Sequence, residues 1–382
     1  MSPDFNDQKK SVDYSDTFFD FSELATIVNT NSYTKNKVGV DNVGRLYQKI
    51  FENLSFTTTR YSRDKIGDHL LFSSQKTGRP KLLLLGHIDT VFPPGAFESF
   101  SEDENSIYGP GVCDMKGGIH IAISALREVN KCDGYIADID MLLVSDEESG
   151  SDDSKMLSAQ LANNYNACLV FEAAGINDEV VVARKGVGTF IIDIQGKAAH
   201  AGNNYLLGAN ANLAAAHMIV DLTALTNTDE GSTVNVGKIS GGIGANTISP
   251  NSKIILDVRF TKESERDRVL GEIKRIVDHS YVNKVTASLS GGIQRDVMQS
   301  DEKQSALLSK LETIIGESLI TEQRGGGSDA NIISAAGVAT LDGFGPFGHG
   351  DHTIDEQASK KSFARRVSQM SKILLAYNGI KP

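Results

Sequence analysis

The sequence predicts an α/β fold: a doubly wound, mixed-sheet domain interrupted by an inserted ferredoxin-like α+β unit. Three observations predict it. Short aliphatic runs, LLLLGH at 82–87, IDMLLVS at 139–145 and ACLVFE at 167–172, read as buried strands. Helix-period segments separate them, and alternating strand and helix signals imply a doubly wound sheet. Between residues 188 and 297 the order becomes strand, helix, strand, strand, helix, strand, which is that of a ferredoxin-like unit.

Taken in order, residues 1–19 are a polar N-terminal segment without the apolar core of a signal peptide. Helices are expected at 20–30 and 39–53, and strands at 56–61, 69–74 and 81–86. A helix begins near Lys116, with Ile119, Ile123 and Leu126 as its apolar residues. Strands resume at 139–145 and 167–172, completing the first part of the catalytic domain, 20–187. The insert, 188–297, reads as strand 188–195, helix 207–225, strands 232–240 and 252–260, helix 262–279 and strand 283–290. The first domain then resumes over 298–382, with a helix at 305–316.

Composition narrows the function. A chain of 382 residues is long enough for two domains and a large core. A formal net charge of -11 argues against nucleic acid or an anionic membrane as partner. No apolar stretch approaches a bilayer span. Cys113, Cys132 and Cys168 form neither a zinc-ribbon nor a disulfide pattern, so reduced thiols in a cytoplasmic protein are expected.

The chemistry concentrates where strands end. In GHIDTV, His87 and Asp89 are two apart, so they emerge together at the C-terminal end of a strand. That edge is where open α/β sheets place their sites. A carboxylate beside an imidazole fixes its tautomer and raises its basicity, although His-x-Asp alone is a weak signal. Further acidic groups follow: Asp114 in GPGVCDMKGG, Glu147 and Glu148 in SDEESGS, and Glu172 in FEAA. His349 and His352 lie in GHGDHTIDE near the C-terminus. So many carboxylates are not buried unless paired or metal-bound. Their charges fit two divalent cations, and mixed His and carboxylate donors suit zinc, with cobalt or manganese as alternatives. Asp114 is the candidate bridge between two ions. Asp146, Asp152 and Asp153 are expected to form a solvated acidic loop. His120 and His217 read as ordinary helix histidines.

These motifs, with GKAAHAG, GANTIS, DVRF, GGGSDAN and HTIDE, occur in one order from about residue 20 to the C-terminus. In that order they resemble the co-catalytic zinc peptidases, the family of glutamate carboxypeptidases, aminoacylases, acetylornithine deacetylases and succinyl-diaminopimelate desuccinylases. The resemblance is nearest to the bacterial glutamate carboxypeptidase branch. It implies that His87 and Glu172 hold one zinc, Glu148 and His352 the other, and Asp114 both. It implies Asp89 as the orienter of His87 and Glu147 as general base and acid toward a metal-bridged hydroxide. It favours His352 over His349, and it suggests a cis Asp114–Met115 bond.

The same resemblance makes the insert a lid that also forms a homodimer. There His200 would donate to the developing oxyanion, and Asn246 and Arg259 would bind a free carboxylate. Read alone, His200 sits in an exposed turn. Pro250 falls one position later than is common in the family, which bears on the loop that places Asn246. Lys185 and Arg324 are candidates for a second carboxylate, with solvent-facing charge as the equal alternative. The expected activity is removal of a C-terminal amino acid from a small peptide. The alternatives are hydrolysis of N-acyl amino acids and a non-catalytic metal-binding scaffold, and the unligated Glu147 weighs against the last.

Overall fold

The computed structural model describes residues 19–379, so residues 1–18 of the polar N-terminal segment lie outside it. A six-stranded mixed sheet has the spatial order Thr57–Tyr61, His69–Ser73, Ile139–Val144, Leu82–His87, Ala167–Val170, Ala339–Leu341. The first two pairings are antiparallel and the other three are parallel. The aliphatic runs are continuous because both faces of the sheet are covered. Leu82 and Leu84 pack into one buried cluster, with Ile119 and Phe363 of the helices Lys116–Asp133 and Lys360–Asn378. Leu83 and Leu85 point the other way, into a second cluster with Ala162, Ala330 and Ile333.

A second sheet is antiparallel throughout, in the order Thr233–Gly241, Asn251–Phe260, Gly186–Gln195, Thr286–Arg295. Helices Ala211–Thr223 and Glu263–Asp278 pack on it around a buried cluster of their own. The β-α-β-β-α-β order is thus present, with boundaries shifted by up to five residues, most at the first helix and the last strand. The first helix begins at Ala211 rather than 207, because Asn210 caps it by accepting from the Leu213 N–H. The last strand, expected over 283–290, spans Thr286–Arg295 and runs on through Gly291 and Gly292. Gly291 has φ +88° and lies against the Thr189 carbonyl, so the glycine pair marks a close strand contact and not a chain reversal.

Candidate active site and metal centre

Three adjacent parallel strands deliver the central groups at one edge. His87 ends its strand, Glu147 and Glu148 follow Ile139–Val144 in a short 3-10 turn, and Glu172 follows Ala167–Val170 by two residues. Asp114 comes from the turn before Lys116–Asp133, after an Asp114–Met115 peptide bond that is cis. His352 arrives on a C-terminal hairpin with φ +62°.

The Asp114 carboxylate stands between the two imidazoles. Its Oδ1 is 2.9 Å from His87 Nε2 and its Oδ2 is 3.3 Å from His352 Nε2. Beyond His87, Glu172 Oε1 lies at 3.9 Å; beyond His352, Glu148 Oε2 lies at 2.9 Å. Donor atoms of His87, Asp114 and Glu148 all fall within 4.8 Å of one another. His349 is turned away, its ring edge-on to Phe347 at 4.5 Å. Asp89 sits behind His87: the imidazole Nδ1 is 3.1 Å from its carbonyl oxygen and 3.4 Å from its Oδ1. The Asp89 Oδ2 accepts from Thr34 Oγ1 and from the Glu148 N–H, so one carboxylate fixes two neighbours.

The charges show what the cluster lacks. Burial alone would raise Asp114, but hydrogen bonds from His352 and His87 hold its carboxyl far below the usual range. Hydrogen bonds to Asp114 and Glu148 raise His352 to about 11. Burial opposes charge on His87, yet Asp114 and Asp89 still raise it well above its ordinary value. Glu172 is pushed well up by burial and by the nearby Asp114 charge, and Glu148 is also raised, mainly by burial. Four buried or half-buried carboxylates therefore share two imidazoles as their nearest positive partners. A divalent cation would supply compensating charge, so this donor set fits a metal centre.

Glu147 lies beside the ligand set and meets a cation of its own. Arg295 Nη2 donates to Glu147 Oε1 at 2.6 Å and to the Glu147 carbonyl oxygen at 3.0 Å. It also reaches Ser151 Oγ at 2.8 Å, and Ser151 in turn donates to the buried Asp329. Burial pushes Glu147 up to about 8, against the opposing charge of Arg295. The sequence reading missed Arg295, because its strand was expected to stop five residues earlier.

The turn that carries the glutamates is braced from behind. The Ser145 N–H donates to His69 Nδ1 at 3.2 Å, and His69 Nε2 donates to Asp153 Oδ1 at 3.0 Å. Asp146 is only 2% exposed, and its Oδ2 accepts from the Asp153 and Ser154 N–H groups. The solvated acidic loop therefore keeps Asp152 and Asp153 and loses Asp146. Asp146 is structural, because backbone donors replace water around it, whereas the exposed Asp153 keeps its solvent while pairing with His69 and Arg63. Cys113 lies in the turn before Asp114, on the cavity wall beside Gly348. His120 is buried against Phe363, and the exposed His217 stacks on Tyr281.

The donors open into a cavity of about 610 Å³, whose wall includes Asp114, Glu147, Glu148, Glu172, Arg184, Arg295, Arg324 and His352. Arg184 is anchored by Asp342 at 2.7 Å and by the Gly326 carbonyl at 3.0 Å. Arg324 is held by Glu322 and by the Ala173 carbonyl, next to Glu172. Lys185, Arg259, Asn246 and His200 do not line this cavity. Arg259 binds Asp257 and the Gly325 carbonyl. His200 and Asn246 sit together in exposed loops of the second sheet, where the Ala201 N–H donates to the Asn246 carbonyl. A larger groove of about 1170 Å³, lined in part by Phe19, Lys360 and Arg365, contains none of the donors.

A sequence model of the peptidase family M20/M25/M40 matches residues 83–376, a span that contains His87, Asp114, both glutamates of the turn, Glu172 and His352. The chain belongs to this family. It is 25% identical over 363 residues to carboxypeptidase G2 of Pseudomonas sp. (strain RS-16), covering 92% of this chain and 88% of the relative. It is also 25% identical over 331 residues to succinyl-diaminopimelate desuccinylase of Xylella fastidiosa (strain 9a5c), covering 80% and 85%. The fold matches that of aminopeptidase PepT from Bacillus cereus ATCC 10987 with a TM-score of 0.77 at 22% identity, over 92% of this chain and 96% of that one. The M20/M25/M40 chain is accordingly a metallohydrolase of the peptidase or amide-hydrolase kind. No described helix is long and apolar enough to cross a membrane.

Proposed function

We propose that this M20/M25/M40 enzyme is a carboxypeptidase-type exopeptidase that cleaves the amide bond to a C-terminal amino acid. The observation that carries the reading is the Asp114 carboxylate, with one oxygen toward each of two histidines and Glu147 on the same cavity wall. His87 and Glu172 would hold one zinc ion, His352 and Glu148 the other, and Asp114 both, with cobalt or manganese as substitutes. When bound, such ions polarise the scissile carbonyl and bring the pKa of water toward neutrality.

The chain's own residues do the rest. Glu147 takes a proton from the attacking water and returns it to the departing amine nitrogen, which amide cleavage requires. Asp89 holds the His87 ring by its Nδ1 edge, leaving Nε2 toward the site. Arg184, Arg295 and Arg324 line the cavity, and Arg324, held by Glu322 and the Ala173 carbonyl, is the candidate to meet a substrate carboxylate. Residues 188–297 would act as a lid that brings His200, Asn246 and Arg259 to the substrate, with Lys185 near its base. The exposed apolar residues Leu206, Leu213, Val220, Ile239 and Ile243 all belong to this unit, and they support a homodimer formed through it.

The second reading is an N-acyl amino acid amidohydrolase, favoured by the likeness to the desuccinylase and fully compatible with the same donors. A hydrolysis screen with zinc-loaded protein separates the two. Folyl-glutamate, Xaa-Glu dipeptides and acetylated or succinylated amino acids should all be included. Preference for peptidyl glutamate supports the exopeptidase; turnover confined to acyl amino acids transfers the assignment to the second reading. Absence of hydrolysis across the panel defeats both.

A further inference from the structure

We infer that Glu356 is a positioning residue that sets the Asp114 carboxylate in register with His352. Its carboxyl group is buried, with the residue 1% exposed, and it gathers three backbone donors from one turn. Its Oε1 accepts from the Cys113 N–H at 2.9 Å and the Asp114 N–H at 3.0 Å, and its Oε2 accepts from the Gly111 N–H at 3.0 Å. The turn therefore wraps around a side chain from the far end of the sequence.

That side chain stands four residues after His352. Strand Gln357–Ser359 pairs antiparallel with Ser106–Tyr108, and Gly348–His349 pairs with the same strand from its other side. His352 therefore sits at the tip of a hairpin, and Glu356 pins the base of that hairpin to the Asp114 turn. Pinning matters because His352 has little else to hold it. Its side chain is 55% exposed, and its ion-pair partners are Asp114 and Glu148. An anchored carboxylate facing a loosely held imidazole needs a fixed base on the hairpin, or the 3.3 Å approach between them is lost. Without Glu356, the N–H groups of Gly111, Cys113 and Asp114 would each need a new acceptor in a buried turn.

This inference rests on the two-ion reading, and it predicts a selective defect. Glu356→Gln keeps one oxygen for the Cys113 and Asp114 N–H groups but sets an NH₂ against the Gly111 N–H. The hairpin should loosen while the Asp114 turn stays nearly in place. In a cobalt titration with a competing chelator, the variant should bind one ion as the unaltered protein does. The second ion should bind about 10–100-fold more weakly, with an altered visible absorption band. Two ions bound with unaltered affinity, or both weakened alike, would overturn the role. Fewer than two ions on the unaltered protein would defeat the two-ion reading as well.

Amide hydrogen exchange on metal-free, unaltered protein gives a test that needs no variant. The Gly111, Cys113 and Asp114 amides should be protected before any metal is added. Free exchange of all three until metal binds would show that the ions, and not Glu356, order the turn.

Discussion

Replacing Glu147 by Gln separates the proton carrier from the ligand next to it. The two glutamates are adjacent in sequence yet face different partners: Glu148 Oε2 is 2.9 Å from His352 Nε2, and Glu147 Oε1 is 2.6 Å from Arg295 Nη2. Gln preserves the shape and the oxygen that Arg295 donates to, and it removes the basicity together with the negative charge. Loss of a positioned acid and base costs about 10²–10⁴ in rate, or roughly 3–5 kcal/mol on the barrier. The loss should fall on kcat, with metal content unchanged at two ions by mass spectrometry. Glu148→Gln should instead lose an ion.

A stability measurement on metal-free protein gives Glu147→Gln an independent readout. The folded Glu147 titrates at about 8, against roughly 4.3 for an unfolded glutamate. Between those values the folded state holds the extra proton, so this group makes stability fall as pH rises from about 4 to 8. The unfolding free energy of the wild type, measured relative to Glu147→Gln, should decline across that window by a few kcal/mol at most. Turnover by Glu147→Gln at the wild-type rate would refute the assignment of the base. A relative stability that rises with pH would refute the burial argument.

Three other outcomes are expected. His200→Ala should reduce turnover by about 10²-fold with both ions retained; metal loss equal to that of His87→Ala would move His200 into the ligand set. Chelation should abolish hydrolysis and lower the unfolding temperature, and zinc, cobalt or manganese should restore both. Free ion at about 1,000 times its dissociation constant contributes about 4 kcal/mol to the folded state, so an unfolding temperature indifferent to metal would count against the centre. Arg184→Met should destabilise the protein by about 3–5 kcal/mol in urea unfolding. It strands Asp342, which is fully buried and 2.7 Å from the Arg184 Nε. A loss under about 1 kcal/mol would show that Ser328 and the Gly343 N–H satisfy Asp342 without the arginine.

Strand ends were legible because buried parallel strands write themselves as aliphatic runs, so the residues just past them could be numbered directly. His87, the Glu147–Glu148 pair and Glu172 were found that way. Asp114 and His352 lie in turns, and only their motifs marked them. Arg295 was hidden because glycine pairs usually break strands, whereas Gly291 and Gly292 continue one against Thr189. Asp146 looked solvated because composition says nothing about which backbone N–H groups will fold back onto a carboxylate. Glu356 was quoted within HTIDE, yet its three donors lie more than two hundred residues upstream, and no local pattern records a contact of that range.

The division of labour between the two sheets follows from the same geometry. Every proposed metal donor comes from outside residues 188–297, and the cavity wall draws on that unit at Arg295 alone. An oxyanion donor must approach to about 3 Å of the reacting carbonyl, and His200 does not line the cavity. On the proposed reading it would arrive by movement of the second unit or from a second copy of the chain. The chain enters that unit after Arg184, which is fixed to Asp342, and leaves it after Arg295, which is fixed to Glu147. Arg295 thus belongs to the second unit and is bonded to Glu147, the proposed proton carrier. If the unit closes over a substrate as proposed, rotation about these two crossings would shift the guanidinium along the Glu147 carboxylate, coupling closure to the electrostatics of the proposed base.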